Sequence, residues 1–303
     1  MADKESLIAE IERLRKERNA IILAHNYVSA DIQQIADFCG DSMELSIKAS
    51  KCDAEVLVVC GVRFMAETAK LLSPGATVLM VRPDAGCPMA DMVDVDELKK
   101  FKAANPDTLL VAYVNTTAEV KSLVDICCTS GNAEKVVSSI PRERDVMFLP
   151  DRNLGQNMIN KLDRPMRLWN GCCPIHDEVT VEIIGKAREN YPGAEILVHP
   201  ECRPEVVAAA DKALSTGAML NYVPTSGAKE FVVGTESGIL FRMQRENPDK
   251  KFHKLMPELL CTDMKKLTLE DVAAALREMK TEVVLPAELA ENAVNSIKKM
   301  LAL

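Results

Sequence analysis

Residues 20–27 read AIILAHNY, an unbroken apolar run that ends in polar side chains, and this pattern is the main indication of the fold. It returns as TLLVAYVN at 108–115 and as AEILVHPE at 194–201, each time after a charged stretch with apolar residues near a 3.6-residue spacing. Continuous apolar runs are typical of buried parallel strands, and the charged stretches are typical of amphipathic helices. The chain therefore predicts three copies of one helix-then-strand unit.

The three copies keep their register beyond the first strand. Each strand ends in two polar residues two positions apart, which share one face of the strand. A hydroxyl residue follows 17 positions after the first of each pair, in a segment typical of a helix start, and a cysteine follows 62, 60 and 62 positions after it. In order of copy, these residues are His25, Tyr27, Ser42 and Cys87; Tyr113, Asn115, Ser130 and Cys173; and His199, Glu201, Thr216 and Cys261.

Alternating strands and helices predict an α/β fold of parallel sheets with right-handed crossovers. We expect three similar small α/β domains, each a three-layer unit, around a pseudo-threefold axis. The active site is expected at the centre, because ligands of such sheets bind at the carboxyl ends of the strands. The predicted limits are 1–92, 93–177 and 178–267, and a helical tail at 268–303 is expected to pack back on the first domain.

Composition and charge argue against several classes of protein. The 303 residues are 48% apolar, which is too high for a disordered chain. The net charge of −8 argues against a nucleic-acid partner or an anionic membrane surface. No apolar run approaches the roughly 18 residues of a membrane span, and the charged N-terminal stretch is unlike a signal peptide. We therefore expect a cytoplasmic protein.

Three convergent thiolates are suited to a metal cluster with one open position. Iron–sulfur clusters usually take four thiolate ligands, so a cluster on three leaves one iron free to act as a Lewis acid. Zinc on three cysteines is the alternative, and His176 offers it a fourth ligand. Buried, inert thiols are the third interpretation. The spacing does not decide between Cys173 and the adjacent Cys172.

The polar residues at the strand ends indicate acid–base and binding chemistry. Histidine titrates near neutral pH, and a shielded Glu201 can be tuned toward that range. The three hydroxyls indicate anion binding, because a helix N-terminus presents free N–H groups to which an N-cap Ser or Thr adds a donor. A substrate with several carboxylates or a phosphate would suit such a site.

Ten segments of the chain resemble the quinolinate synthase family, the iron–sulfur enzymes of de novo NAD synthesis. The resemblance covers nearly the whole chain and implies one 4Fe–4S cluster per chain on Cys87, Cys173 and Cys261, with one open iron site. The matching segments are AHNY (24–27), DFCGDS (37–42), GVRFMAETAKLL (61–72), AYVNTTAEVK (112–121), TSGNA (129–133), GCCPIH (171–176), HPEC (199–202), STGAM (215–219), GTE (234–236) and CTDMK (261–265).

The resemblance also implies a reaction and roles for the polar residues. The reaction condenses iminoaspartate with dihydroxyacetone phosphate to quinolinate, releasing phosphate and water. An aspartate oxidase or dehydrogenase is implied as the supplier of iminoaspartate. The implied catalytic residues are Glu201, His199, Tyr27 and Tyr113, and the implied substrate-binding residues are His25, Ser42, Tyr113, Asn115, Ser130, His199, Glu201 and Thr216.

Two other functions compete with this interpretation. The first is an enzyme like hydroxymethylbutenyl diphosphate reductase, which also combines three α/β units with a three-cysteine cluster. A diphosphate substrate favours more basic groups than this polar set provides. The second is a non-enzymatic cluster or zinc sensor, which has no need of His, Glu and Tyr at strand ends in phase with the cysteines.

Overall fold

The computed structural model describes residues 3–303 as three α/β units followed by a helical tail. The first unit contains α1 (Lys4–Glu17), β1 (Ala20–His25), α2 (Ala30–Ile35), β2 (Phe38–Gly40), α3 (Ser42–Ser50), β3 (Val56–Cys60), α4 (Arg63–Leu72), β4 (Thr77–Met80) and a 3-10 turn (Ala90–Met92). No helix within the described range is both long enough and apolar enough to cross a membrane.

The second and third units repeat this order of elements. The second contains α5 (Val95–Ala104), β5 (Leu109–Tyr113), α6 (Ala118–Leu123), β6 (Ile126–Cys128), α7 (Ala133–Ser139), β7 (Val146–Leu149), α8 (Arg152–Leu162), β8 (Arg167–Leu168) and α9 (Pro174–Asp177). The third contains α10 (Val181–Asn190), β9 (Glu195–Val198), α11 (Pro204–Ala209), β10 (Lys212–Ala213), α12 (Thr216–Thr225), β11 (Glu230–Gly234), α13 (Ile239–Glu246), β12 (Lys251–Lys254) and α14 (Thr262–Lys265).

Each unit is built on a parallel sheet of four strands in the same order. The orders are β2-β1-β3-β4, β6-β5-β7-β8 and β10-β9-β11-β12, and every pairing between these strands is parallel. The central strands are buried almost throughout, which explains their continuous apolar sequences. The predicted α/β fold of three similar units is confirmed. The exact domain limits stay a prediction.

One aspartate in each unit fixes the outer strand that the apolar pattern did not reveal. Asp37, Asp125 and Asp211 each accept a hydrogen bond from a backbone N–H of the neighbouring strand, at 2.8, 2.8 and 2.7 Å. All three lie 12 positions after the first strand-end residue of their copy. The strands that follow have only two or three residues, too few for a periodic pattern to show in the sequence.

The helical tail divides between two units. α15 (Leu269–Glu278) packs on α1, β3 and β4 of the first unit, whereas α16 (Ala287–Leu301) packs chiefly on α6 and β6 of the second. The sequence led us to expect the whole tail on the first unit. The difference arises because the buried apolar face of α16, Ala293, Ile297 and Met300, joins the core of Val120 and its neighbours in the second unit.

Candidate functional site

The carboxyl ends of the three sheets open on one central cavity of about 720 Å³, including its mouth. All twelve residues singled out from the sequence line it, four from each unit: His25, Tyr27, Ser42 and Cys87; Tyr113, Asn115, Ser130 and Cys173; His199, Glu201, Thr216 and Cys261. Cavity-lining residues that the repeat pattern missed include Asp41, Phe64, His176, Glu236 and Met264. The repeat therefore brings its marked positions to a single site.

The two strand-end histidines, His25 and His199, share one local geometry. The Tyr27 N–H donates to His25 Nδ1, and the Glu201 N–H donates to His199 Nδ1, both at 3.2 Å. Burial lowers the pKa of both imidazoles to about 3, so both rings are neutral near pH 7. With Nδ1 accepting, the proton of each neutral ring is on Nε2. These histidines are therefore hydrogen-bond donors, and the neutral-range titration expected from the sequence is wrong.

Glu201 is the hub of the site. Its Oε1 accepts from the Tyr113 hydroxyl at 2.5 Å, and its Oε2 lies 2.6 Å from His176 Nδ1. Burial alone would raise the pKa of Glu201, but His199, His176 and the Tyr113 phenol together hold that pKa below its ordinary range. Glu201 is thus a carboxylate near pH 7, contrary to the expectation of tuning toward neutrality.

The structure shows a role for His176 that the strand-end pattern did not predict. Its Nε2 lies 2.8 Å from Thr235 Oγ1, and Thr235 Oγ1 lies 2.7 Å from the Tyr27 hydroxyl. The Tyr27 hydroxyl also lies 2.7 Å from Thr216 Oγ1. With His176 Nδ1 donating to Glu201 and Nε2 accepting from Thr235, these bonds run in one direction, from Thr216 through Tyr27 and Thr235 to His176. The chain ends on the Glu201 carboxylate.

The two tyrosines of the site remain protonated phenols near pH 7. Burial raises the pKa of Tyr27 well above its ordinary value. Burial and the neighbouring Glu201 carboxylate do the same for the pKa of Tyr113. Both phenols are therefore able to donate a proton through a hydrogen bond near pH 7.

The predicted hydroxyls lie at or near helix starts, but they are not the N-caps. Ser42 and Thr216 are the first residues of their helices, and the capping side chains are Asp41 and Ser215. Asp41 Oδ1 accepts from two N–H groups of its own helix, and its Oδ2 accepts from the Gly217 N–H of the third unit at 3.1 Å. Ser42 and Thr216 are therefore not the N-caps that the sequence led us to expect, because the preceding residue takes the cap position in each helix.

The three cysteines also share one geometry. Cys173 and Cys261 are the N-cap residues of short helices, and Cys87 precedes the 3-10 turn. The backbone N–H of the residue three positions on faces each sulfur, and these residues are Ala90, His176 and Met264. Burial raises the pKa of all three thiols, that of Cys87 to about 12, and the N–H groups oppose this. Near pH 7 these groups are therefore thiols, and binding of a metal would convert them to thiolates.

The three sulfurs are not grouped as closely as three ligands of a single metal ion. Zinc binds thiolates at about 2.3 Å, so two sulfurs on one zinc lie at most about 4.6 Å apart. Within residues 3–303, the only set of three candidate ligands whose atoms all lie within 4.8 Å of one another is Cys173, His176 and Glu201. Three cysteines with wider separations suit a polynuclear cluster, in which each thiolate binds a different iron. Of the adjacent pair, Cys173 lines the described cavity and Cys172 does not.

Comparison with known proteins gives one consistent result. The family described as NadA, Quinolinate synthetase A protein, matches residues 9–302. A quinolinate synthase of Geobacter metallireducens is 49% identical over 294 residues, covering 97% of this chain and 96% of the relative. One from Geobacter sp. strain M21 is 48% identical over 300 residues, covering 99% and 98%. One from Dehalococcoides mccartyi strain CBDB1 is 48% identical over 298 residues, covering 98% of each chain.

Proposed function

Because this chain belongs to the quinolinate synthase family, we propose that its central cavity joins iminoaspartate to dihydroxyacetone phosphate over a 4Fe–4S cluster held by Cys87, Cys173 and Cys261. Family membership identifies an enzyme of NAD biosynthesis that acts on small molecules, and a metal cofactor is consistent with its cysteines. The identity of the substrates, the cluster and the residue roles are our proposal. The observation that carries it is one cysteine and three polar side chains from each unit on one cavity.

The proposed reaction forms two bonds between the substrates and closes a ring. One carbon–carbon bond and one carbon–nitrogen bond form, and phosphate and two water molecules leave. The atoms of the two substrates, hydrogen and oxygen included, equal those of quinolinic acid, one phosphoric acid and two water molecules, so no redox partner is required. Both substrates are anions, and both hydroxyl losses need acid assistance.

The donor set of the cavity fits a cluster with one iron free of protein ligands. When bound, such a cluster supplies Lewis acidity to the departing hydroxyl groups. The protein's own contribution is to present three sulfurs, each beside a backbone N–H. Gly86 N–H donates to Asp263 Oδ1 at 3.0 Å and so joins the loop of Cys87 to the loop of Cys261.

We assign anion binding to the neutral histidines and the hydroxyls. His25 and His199 each keep one Nε2–H for a substrate carboxylate or phosphate, and because the rings are neutral they orient the anion without neutralising it. Ser42, Ser130 and Thr216 add hydroxyls at or near helix starts, where the partial positive charge favours anions. Asn115 has a buried amide oxygen without a hydrogen-bond partner in the described chain, which suits a substrate hydroxyl or imine N–H.

We assign proton transfer to the hydrogen-bonded chain that ends on Glu201. When the Tyr27 hydroxyl takes up a proton from a substrate, its own proton can pass to Thr235, the Thr235 proton to His176 Nε2 and the His176 Nδ1 proton to Glu201, so Tyr27 stays a phenol and the substrate's proton is balanced on the carboxylate. Tyr113 reaches the same carboxylate from the other side. His199 lies 3.8 Å from Glu201 through Nδ1 and is not part of the chain.

The supplier of iminoaspartate follows from its chemistry. Iminoaspartate is the two-electron oxidation product of aspartate, so we infer that an aspartate oxidase or dehydrogenase provides it. We also propose that the protein acts in the cytoplasm, as expected from the sequence. Family membership leaves no support for a diphosphate reductase or a non-enzymatic sensor.

The test is purification without oxygen, followed by iron and zinc analysis and a quinolinate assay with the two substrates. We expect a brown protein with about four irons per chain that loses activity in air. Cys173→Ala is expected to abolish the intact cluster, and Cys172→Ala is the matched control that retains it. A colourless, air-stable and active protein, or zinc at Cys173, would contradict the proposal.

A further inference from the structure

A buried lysine lies behind the central cavity and has no part in the proposed reaction. Lys121, on α6, is fully buried and is among the largest of the fully buried side chains. Its ammonium group donates to the Thr116 carbonyl and lies 5.4 Å from the centre of the Phe64 ring. Within residues 3–303, no carboxylate lies within 4.0 Å of its Nζ. An ammonium group buried with so little compensation is strongly unfavourable.

The chain contains a second buried lysine that makes a useful contrast. Lys250 is 6% exposed, donates to the carbonyls of Val223 and Ser226, and lies 5.3 Å from the centre of the Phe231 ring. Its two carbonyl acceptors and its slight exposure to solvent compensate the ammonium charge of Lys250 within the third unit. Lys121 has one carbonyl acceptor and no exposure. Its charge therefore needs compensation from outside its own contacts.

The elements around Lys121 connect it to the loop of Cys87. Phe64 packs under the Lys121 ammonium and also lines the central cavity together with Cys87. The Arg63 N–H, beside Phe64, donates to the Ala85 carbonyl at 3.0 Å, which fixes the loop that carries Cys87 against the start of α4. Lys121 thus lies one aromatic ring away from the cavity wall that the cysteine shares.

Three titratable groups face Lys121 from the packed elements. They are Glu67 on α4, Cys127 on β6 and Cys87 on its loop; burial lowers the pKa of Lys121, and these three groups act against that effect. Glu67 is half-buried, and its carboxylate accepts from the Ala118 N–H at 2.8 Å. Cys127 is a fully buried thiol whose pKa burial raises, so it stays neutral near pH 7. The Cys87 sulfur becomes negative when it binds metal.

We propose that Lys121 is the buried counter-charge of the metal cluster, acting through Phe64 and the loop of Cys87 to stabilise the negative charge that the thiolate ligands bring. This inference rests on the proposed cluster. Lys121 is a positioning residue in the electrostatic sense, since it touches neither cluster nor substrate. Removing the charge of Lys121 lowers the affinity of the protein for the cluster. It also favours the oxidised cluster, because reduction adds a further negative charge.

The experiment compares wild type, Lys121→Met and Lys121→Gln, reconstituted without oxygen. The glutamine variant keeps a donor for the Thr116 carbonyl, so it tests the charge if the methionine variant folds poorly. We expect both to release iron to a chelator about tenfold faster than wild type. We also expect a midpoint potential lower by roughly 59 mV, the equivalent of a tenfold change for one electron. The cluster-free methionine variant should need more denaturant to unfold than cluster-free wild type.

Two matched controls separate this role from a structural one. Lys250→Met removes a buried lysine with similar contacts from the third unit and should leave the potential and the iron release unchanged. Glu67→Gln tests whether the Glu67 carboxylate is the counter-charge of Lys121. It should leave the stability of the cluster-free protein unchanged. Unaltered potential and iron release in both Lys121 variants, or strong destabilisation by Glu67→Gln, would overturn the proposal. A wild type without iron would overturn the proposed function itself, and this inference with it.

Discussion

Thr235 is the residue whose removal tests the proton chain most selectively. It is 1% exposed, and its hydroxyl joins His176 Nε2, at 2.8 Å, to the Tyr27 hydroxyl, at 2.7 Å. Thr235→Val replaces the hydroxyl with a methyl group of similar size, so the packing is retained and the connection is lost. Tyr27 keeps its bond to Thr216, whereas the His176 nitrogen is left without a partner.

Both the stability and the rate should respond to Thr235→Val. An unsatisfied buried polar group costs about 1–3 kcal/mol, and we expect the free energy of unfolding to fall by that amount. General acid–base catalysis contributes about 10²–10⁴-fold, so we expect kcat to fall by roughly 100-fold, at the lower end of that range, because Tyr113 still reaches Glu201. KM should change little, since no anion-binding group is removed.

The assay is steady-state quinolinate formation in anaerobic protein whose iron content matches that of wild type. Thr235→Ser keeps the hydroxyl and should restore most of kcat. Thr68→Val is the matched control, because Thr68 is 3% exposed and its hydroxyl donates to the Phe64 carbonyl of its own helix. Wild-type kcat in Thr235→Val, with only the stability reduced, would show that the chain is structural and would refute the proton route.

Three further predictions concern stability. Burial holds the pKa of His25 and His199 near 3 in the folded state, while the unfolded chain takes up these protons from about pH 6.5 downward, so stability is lost as pH falls. The free energy of unfolding, measured with denaturant, should therefore be lower at about pH 5.5 than at about pH 7, by about 1 kcal/mol per imidazole. A free energy of unfolding that does not change between these pH values would contradict the burial argument. Lys265→Met leaves the Glu236 carboxylate, 1% exposed and 2.9 Å from the lysine, with two backbone N–H donors but without its cationic partner. We expect the free energy of unfolding, measured by chemical denaturation, to fall by roughly 3 kcal/mol, and to fall less in Lys265→Arg. In Gly155→Ala, the added Cβ would lie 2.4 Å from a leucine methyl and 3.0 Å from a phenylalanine ring, so a lower melting temperature, equivalent to about 1–3 kcal/mol, is expected, and an unchanged one would contradict the packing.

The repeat in the sequence predicted the fold because it repeats chemistry as well as hydrophobicity. Buried parallel strands need continuous apolar runs, and their carboxyl ends meet at one edge, so polar residues in phase had to converge. The helix-start hydroxyls and the cysteines follow the same register. The aspartates at 37, 125 and 211 were an equally regular signal, which would have revealed the outer strands.

The parts that the sequence did not predict depend on contacts between units. The role of His176 comes from Glu201 and Thr235 of another unit, and nothing in its own segment signals them. The direction of the Glu201 pKa shift depends on whether the effect of burial, which raises the pKa, exceeds the opposing effects of two imidazoles and a phenol. Only the positions of these groups decide that. The packing of α16 on the second unit likewise depends on which unit has an apolar surface that its own helices do not cover.

The most direct test of the central claim is an anaerobic crystal structure with anomalous scattering measured at the iron edge. We predict iron density bonded to the sulfurs of Cys87, Cys173 and Cys261, with one iron that lacks a protein ligand and faces the cavity. Absence of iron there in active protein, or a single metal ion on Cys173, His176 and Glu201, would contradict it.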